Sequence, residues 1–214
     1  MLNRPRILIA DDHLMLAELC KRYLEVEFDV VSIVGNGREL ISLTCQLKPD
    51  VIVVDIAMPI LNGLDAGEQA KRALPSVKLV YLTMNPDVQL AVEAFSRGAS
   101  AYLLKTCASS ELSIAVRSVL RGKPFLSSGL SKDHVDAIRW ERNSIATSQE
   151  QLTDRQREVL QLLAEGRQMK EVGDILNMST RTVAFHKYRI MSALGARSNA
   201  ELVRHAVRLR MVAA

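Results

Sequence analysis

The sequence has few cysteines and no long apolar segment. Its 214 residues include only Cys20, Cys45 and Cys107, which have no Cys-x-x-Cys spacing. We therefore expect neither a disulfide framework nor a zinc site, and a reducing cytoplasm fits this cysteine content. No uncharged apolar run approaches the length of a membrane span, and the N-terminal residues lack the pattern of a signal peptide. The expectation is a cytoplasmic protein with no membrane partner.

The net charge of +4 is unevenly distributed. Residues 1–126 have 14 basic and 14 acidic side chains, whereas residues 127–214 have 14 basic and 10 acidic ones. The C-terminal part therefore carries the whole positive excess, and an anionic partner is expected there. Apolar residues make up 48% of the sequence, which is enough for a packed core, and the length suits one large domain or two smaller ones.

Four short apolar runs in the first half each end in a residue suited to phosphate chemistry. Such runs are typical of buried parallel strands, whose carboxyl ends meet at one edge of a sheet, where ligands bind. The residues at these ends are Asp11 with Asp12, Asp55, Thr83 and Lys105. Each aspartate alone could be an ordinary turn or capping residue. Their joint occurrence predicts a cluster of carboxylates, a hydroxyl and an ammonium group.

This cluster is suited to phosphoryl transfer. The three carboxylates provide the oxygen ligands that Mg²⁺ prefers, and a metal ion there would make Asp55 usable as a nucleophile toward phosphorus. Lys105 supplies a positive charge for one phosphoryl oxygen, and Thr83 supplies a hydroxyl donor for another.

Helical patterns lie between the apolar runs. With a further run, five strands alternate with five helices, which predicts an α/β fold with a doubly wound, five-stranded parallel sheet over residues 1–122. For the fourth helix, Asn85 is predicted as the N-cap and Pro86 as the first helical residue. Residues 123–150 have the composition of a linker, in which residues 131–142 have the pattern of a short helix.

Residues 151–214 have the pattern of a small all-α domain. Thr153 and Gln156 form a predicted capping box at its first helix, and Ser198 opens its last helix. A turn over residues 177–179 separates the second and third helices, which is helix-turn-helix spacing. This part has 11 basic and 6 acidic side chains.

The third of these helices, over about 180–194, has one face predicted to be buried and one to be exposed. Val183, Ile190 and Leu194 are expected to face inward. The residues expected to face outward are Arg181, Ala184, Phe185, Lys187, Tyr188 and Arg189. The N-terminus of such a helix can approach phosphates or base edges in a major groove. In the second helix, Gly173 should cost about 1 kcal/mol of helix propensity.

The first half resembles the receiver domain of two-component response regulators, which has a flavodoxin-like fold as in CheY. The matching stretches are Ile9-Ala10-Asp11-Asp12-His13, Asp55-Ile56-Ala57-Met58-Pro59 with Gly63, Leu82-Thr83 and Leu103-Leu104-Lys105. The resemblance implies that Asp55 accepts a phosphoryl group and that the carbonyl of Ala57 completes a Mg²⁺ site with the three aspartates. It also implies that Thr83 and Lys105 hold the phosphoryl group. Tyr102 matches the aromatic residue that moves with the switch threonine, with an ordinary core tyrosine as the alternative.

Residues 151–214 resemble the LuxR-type DNA-binding domain of the NarL and FixJ regulators. The matching residues are Leu152-Thr153-x-Arg155-Gln156-Arg157-Glu158-Val159-Leu160, Gly166, Lys170-Glu171, Ser179-x-x-Thr182-Val183-x-x-His186 and Arg197-Ser198-x-x-Glu201-Leu202. The resemblance implies that residues 180–192 are the recognition helix and that the last helix pairs two domains on an inverted-repeat site. Ala184 stands where this family often has a DNA-contacting lysine. The expected DNA-binding residues are Arg181, Thr182, Ala184, Phe185, Lys187, Tyr188 and Arg189.

Together the two halves predict a transcription regulator switched by phosphorylation and active as a homodimer. A sensor histidine kinase, double-stranded DNA and RNA polymerase are its expected partners, and self-phosphorylation with slow self-dephosphorylation is the only expected enzymatic activity. One alternative, a Mg²⁺-dependent phosphohydrolase, would commonly have a second acid where this sequence has Ala57. Another is a phosphorylation-independent DNA-binding regulator whose receiver is a dimerisation or partner-binding scaffold. A third is a C-terminal domain used only for protein contacts.

Overall fold

The computed structural model describes residues 4–130 and 152–212, which form two compact units. The first contains the strands and five α-helices, and the second contains four α-helices. The predicted short helix at 131–142 lies outside the described residues. Across the part of the chain that is described, no helix has the length and apolar character needed to span a membrane.

The first unit is a doubly wound parallel sheet. Its elements are β1 (Arg6–Ala10), α1 (Leu14–Glu25), β2 (Asp29–Val34), α2 (Gly37–Leu47), β3 (Val51–Asp55), α3 (Gly63–Ala73), β4 (Lys78–Thr83), α4 (Val88–Ser96), β5 (Ala101–Leu104), α5 (Ala108–Leu120) and β6 (Phe125–Leu126). The strand order is β2-β1-β3-β4-β5-β6, and adjacent strands are parallel. The order reverses between β1 and β3, so their carboxyl ends border the crevice in which such sheets bind ligands.

The sheet has six strands in the described residues instead of the predicted five. The extra strand, β6, has two residues and lies in the stretch predicted as a linker. It pairs with the edge of β5, where the amide of Phe125 donates to the carbonyl of Ser100 and the amide of Ser127 to that of Tyr102, at 3.2 and 2.9 Å. A strand of two residues forms because the edge of the neighbouring strand offers unpaired backbone groups. Its own sequence therefore does not predict it.

The start of α4 also differs from the prediction. Asn85 is not its N-cap, because the carboxylate of Asp87 accepts the amide of Gln89 at 2.8 Å and the helix begins at Val88. The side chain of Asn85 instead accepts the amide of Asp87 at 3.0 Å. The two residues after Asn85 therefore belong to a turn before the helix.

Tyr81 has a buried hydroxyl group for which the described residues offer no hydrogen-bond partner. Burial raises the pKa of this hydroxyl. The ring packs so closely on α3 that a Cβ at Gly67 would lie 2.1 Å from the phenolic oxygen of Tyr81.

Because an unsatisfied buried hydroxyl costs about 1–3 kcal/mol, we expect Tyr81→Phe to raise the free energy of unfolding by about 1 kcal/mol in chemical denaturation. Tyr102→Phe, which removes a bonded hydroxyl, should lower it. A less stable Tyr81→Phe would contradict this assignment.

The second unit consists of α6 (Asp154–Ala164), α7 (Met169–Leu176), α8 (Thr180–Leu194) and α9 (Asn199–Arg208). The predicted capping box joins Thr153 and Gln156, and the side chains of Ser179 and Ser198 cap α8 and α9. The buried core of this unit consists of Leu152, Val159, Leu160, Leu162, Val172, Leu176, Val183, Ile190, Ala196, Leu202, Ala206 and Met211.

The turn between α7 and α8 explains Gly173. Asn177 ends α7 in the left-handed conformation, and the amide of Met178 donates to the carbonyl of Gly173 at 2.9 Å. A Cβ at Gly173 would lie 2.6 Å from the carbonyl oxygen of Met178. The glycine therefore permits a close backbone contact in the helix-turn-helix, which offsets its low helix propensity.

Candidate functional site

Asp11, Asp55 and Lys105 lie together at the carboxyl ends of β1, β3 and β5. The Nζ atom of Lys105 is 2.9 Å from Oδ2 of Asp11 and 2.9 Å from Oδ2 of Asp55. All three side chains are at least 95% buried, with exposed fractions of 1%, 3% and 5%. The sheet topology thus brings together residues that are far apart in sequence.

The electrostatics of the site follow from two carboxylates sharing one ammonium group. Burial raises the pKa of Asp55 above its ordinary value, although the charge of Lys105 and the amide of Ala57 act in the opposite direction. Burial alone would lower the pKa of Lys105, but its hydrogen bonds and charge interactions with Asp11 and Asp55 raise it overall. Lys105 therefore stays protonated, and the site has an excess of negative charge that a cation would neutralise.

The donor atoms fit a hard divalent cation. Apart from the ion pair with Lys105, neither Asp11 Oδ2 nor Asp55 Oδ2 has a hydrogen-bond partner in the described residues. Ligand atoms of Asp11, Asp12, His13 and Asp55 all lie within 4.8 Å of one another. Such a group of carboxylate oxygens is the ligand set that Mg²⁺ prefers. His13 was not predicted as a site residue. Its Nδ1 atom lies 2.9 Å from Oδ1 of Asp12.

The loop after β3 passes close behind Asp55. A Cβ at Gly63 would lie 1.9 Å from the carbonyl oxygen of Asp55, so only glycine fits there, and the amide of Gly63 donates to Ile56 at 2.9 Å. The amide of Ala57 lies 3.3 Å from Oδ1 of Asp55. This loop holds Ala57 beside the carboxylate of Asp55, while the role of the Ala57 carbonyl as a metal ligand stays a prediction.

Thr83 and Tyr102 are joined through the backbone of Asn85. The hydroxyl of Thr83 accepts the amide of Asn85 at 3.0 Å, and the hydroxyl of Tyr102 donates to the carbonyl of Asn85 at 3.2 Å. Both side chains are buried. The threonine at the end of β4 is therefore coupled to the tyrosine on β5 through the loop that leads into α4.

The exposed face of α8 carries most of the predicted DNA-binding residues. The exposed members are Arg181, Thr182, Ala184, Phe185, Tyr188 and Arg189. Lys187 is only half-buried rather than fully exposed, because it lies beside the buried stripe of Val183 and Ile190. Leu194, predicted to face inward, is half-buried at the end of the helix.

The fold and the site define a class of protein: a receiver domain joined to a helix-turn-helix domain is a response regulator. The description "Response regulator receiver domain" matches residues 7–117, and "Bacterial regulatory proteins, luxR family" matches residues 150–206. The chain is 32% identical over 209 residues to the transcriptional regulatory protein LiaR of Bacillus subtilis, covering 97% of this chain and 99% of LiaR. It is 30% identical over 214 residues to the oxygen regulatory protein NreC of Staphylococcus aureus, covering 97% and 99%.

Solved structures agree with this comparison. RcsB of Salmonella typhimurium aligns with a TM-score of 0.56 at 26% identity, over 96% of this chain and 99% of RcsB. RcsB of Salmonella enterica serovar Typhimurium, bound to a promoter in the presence of phosphomimetic BeF3-, aligns with a TM-score of 0.55 at 26% identity, over 94% and 97%. The chain belongs to the response regulators of the NarL/FixJ type.

Proposed function

We propose that phosphorylation of Asp55 by a partner histidine kinase switches sequence-specific DNA binding by α8 and thereby transcription. The observation that supports this most strongly is the sharing of the Lys105 ammonium by Asp11 and Asp55, 2.9 Å from each. The two carboxylates lie on adjacent strands, and one cation between them leaves an acidic site suited to a metal-assisted phosphoryl acceptor.

In the proposed transfer, an oxygen of Asp55 attacks the phosphorus of a phosphohistidine, and the imidazole leaves. Asp11, Asp12, Asp55 and the carbonyl of Ala57 would hold Mg²⁺, which when bound screens the charge of the incoming phosphoryl group. Lys105 moves its ammonium from the ion pair with Asp55 to a phosphoryl oxygen, because the new dianion carries more charge than the carboxylate that it replaces.

The switch acts through Asn85. The Thr83 hydroxyl accepts the Asn85 amide and can donate its own proton to the phosphoryl group at the same time, so a movement of Thr83 toward that group also displaces the backbone of Asn85. Since Tyr102 holds the carbonyl of the same residue, the two side chains and the loop before α4 are expected to rearrange together. Phosphorylation thereby shifts an existing equilibrium between inactive and active states.

A groove beside the site supports a protein as the phosphodonor. It has a volume of about 600 Å³ and reaches Lys105. The apolar residues that line it are Met15, Leu16, Leu19 and Met84. Met15 and Met84 are 88% and 71% exposed, which suits a contact surface for a kinase domain presenting its phosphohistidine.

The output is proposed to be DNA binding by a homodimer in the cytoplasm. The basic, exposed face of α8 enters the major groove, and α9 pairs two domains on an inverted-repeat operator. RNA polymerase is a further proposed partner, and no enzymatic activity beyond self-phosphorylation and slow self-dephosphorylation is proposed.

Labelling with a small phosphodonor tests the acceptor. We expect the protein to gain one phosphoryl group from acetyl phosphate, detected by intact-protein mass spectrometry, and to lose the reaction with EDTA. Asp55→Asn should not be labelled, because its amide is no nucleophile toward phosphorus. Asp87→Asn, at the same edge of the sheet, is the matched control and should be labelled normally. Labelling of Asp55→Asn to the wild-type extent, or without metal, would contradict the proposal.

A further inference from the structure

The two most exposed aromatic side chains of the described residues lie on one helix. Phe185 and Tyr188 are 56% and 75% exposed, and both are on α8. Aromatic residues make up only 4% of the sequence. The chain thus places a phenyl ring in solvent on the helix that is proposed to meet DNA.

Phe185 lies at the centre of the exposed face of α8. With about 3.6 residues per turn, Arg181 and Arg189 lie one turn before and one turn after it, on the same side of the helix. The buried residues Val183 and Ile190 lie on the opposite side. When the exposed face enters a groove, Phe185 is therefore among the side chains that face its floor.

Neighbouring side chains hold the phenyl ring in place. The guanidinium carbon of Arg189 is 5.6 Å from the centroid of the Phe185 ring. The ring of His186 meets it edge-on, with centroids 5.9 Å apart and an interplanar angle of 71°. The ring is thus supported on two sides while more than half of the residue's surface stays open.

The chemistry of this position determines what it can recognise. A phenyl ring has no hydrogen-bonding group, and neither has the side chain of the preceding residue, Ala184. The apolar group that base edges present in the major groove is the C5-methyl of thymine. Arginines, which flank the ring at Arg181 and Arg189, bind phosphates or guanine edges.

We propose that Phe185, with Ala184, recognises thymine C5-methyl groups, so that the operator of this protein has a required thymine in each half-site. The inference rests on the proposed DNA binding by α8 and specifies what that helix recognises. A lysine at either position would contact hydrogen-bond acceptors instead of a methyl group.

The test replaces thymine by deoxyuridine, which removes only the methyl group. The full chain, activated with Mg²⁺ and beryllofluoride, selects duplexes from a random-sequence pool at a fixed salt concentration. Each thymine of a selected duplex is then replaced in turn. We expect one or two positions per half-site at which affinity falls about four-fold, the equivalent of one buried methyl group.

The variant Phe185→Ala should abolish the deoxyuridine penalty at one thymine of each half-site, the one that Phe185 contacts. Phe185→Leu, which keeps a large apolar side chain, should retain part of the penalty at that position. Circular dichroism verifies that both variants are folded. Wild-type tolerance of deoxyuridine at every position would overturn the inference, as would an undiminished deoxyuridine penalty in Phe185→Ala. If duplexes are enriched but their affinity does not depend on any thymine methyl group, the inference fails and the proposed function is retained. A pool with no enriched sequence would refute the proposed function and the inference with it.

Discussion

Lys105→Met is expected to lower the free energy of unfolding of the receiver domain by about 3 kcal/mol at neutral pH, because removing one partner of a buried ion pair leaves uncompensated buried charge. Methionine keeps the length of the apolar side chain, so the loss measures the ammonium group. Two carboxylates, Asp11 and Asp55, lose their shared partner at once. Denaturation with guanidinium chloride, followed by circular dichroism, measures the change.

The pH dependence of this effect has a definite sign. Because the pKa of Lys105 is raised above 10.5 in the folded protein, its contribution to stability is complete below pH 10.5 and is lost as the pH rises through its folded pKa.

Saturating Mg²⁺ should restore much of the stability that Lys105→Met loses. Lys123→Ala, at an exposed position, is the control and should change stability by less than about 0.5 kcal/mol. A Lys105→Met protein as stable as wild type would show that the carboxylates do not depend on this ammonium group.

Asp55→Asn should have the opposite effect and raise the free energy of unfolding by about 2 kcal/mol at neutral pH in the absence of metal. This is less than the several kcal/mol that desolvating one ion costs, because Lys105 compensates part of the Asp55 charge. The substitution removes one of the two carboxylates, and the pair of Asp11 with Lys105 remains. The proposed phosphoryl acceptor is thus expected to reduce the stability of the fold, a common relation between function and stability.

This stabilisation is expected to depend on pH. Burial raises the pKa of Asp55 above 3.8, so the folded protein binds more protons than the unfolded one between 3.8 and the folded pKa. The free energy of unfolding of the wild type therefore falls as the pH rises through that window. The difference in favour of Asp55→Asn grows over the same window and disappears below it. Unfolding curves of both proteins over a pH series measure this. A destabilised Asp55→Asn at neutral pH would contradict the electrostatic description of the site.

The main site residues could be predicted because their positions follow from the sheet. Asp11, Asp55 and Lys105 each come directly after a buried apolar run. The carboxyl ends of parallel strands share one edge, so the order of strands and acidic residues is enough to predict the cluster. The helix-turn-helix was predictable for a similar local reason, since caps at Thr153 and Ser179 mark helix starts in the sequence itself.

Other features depend on tertiary hydrogen bonds that sequence patterns do not encode. Asn85 has the pattern of an N-cap, but Thr83 and Tyr102 hold its backbone and its side chain bonds to Asp87, so α4 starts later. The strand β6 exists because the edge of β5 offers free backbone groups. The sharing of one ammonium group by two carboxylates likewise depends on interatomic distances that a sequence pattern does not give. The place of Phe185 at the centre of an exposed face follows from helical spacing, but its contact with Arg189 does not.

The chemistry at Asp55 is proposed to control DNA binding by α8. The most direct test measures the affinity of the full chain for its selected duplex, together with its oligomeric state, with and without Mg²⁺ and beryllofluoride at a fixed salt concentration. We predict a Mg²⁺-dependent rise in affinity that Asp55→Ala abolishes. Equal binding in both conditions would contradict the claim and favour a regulator that binds DNA independently of phosphorylation.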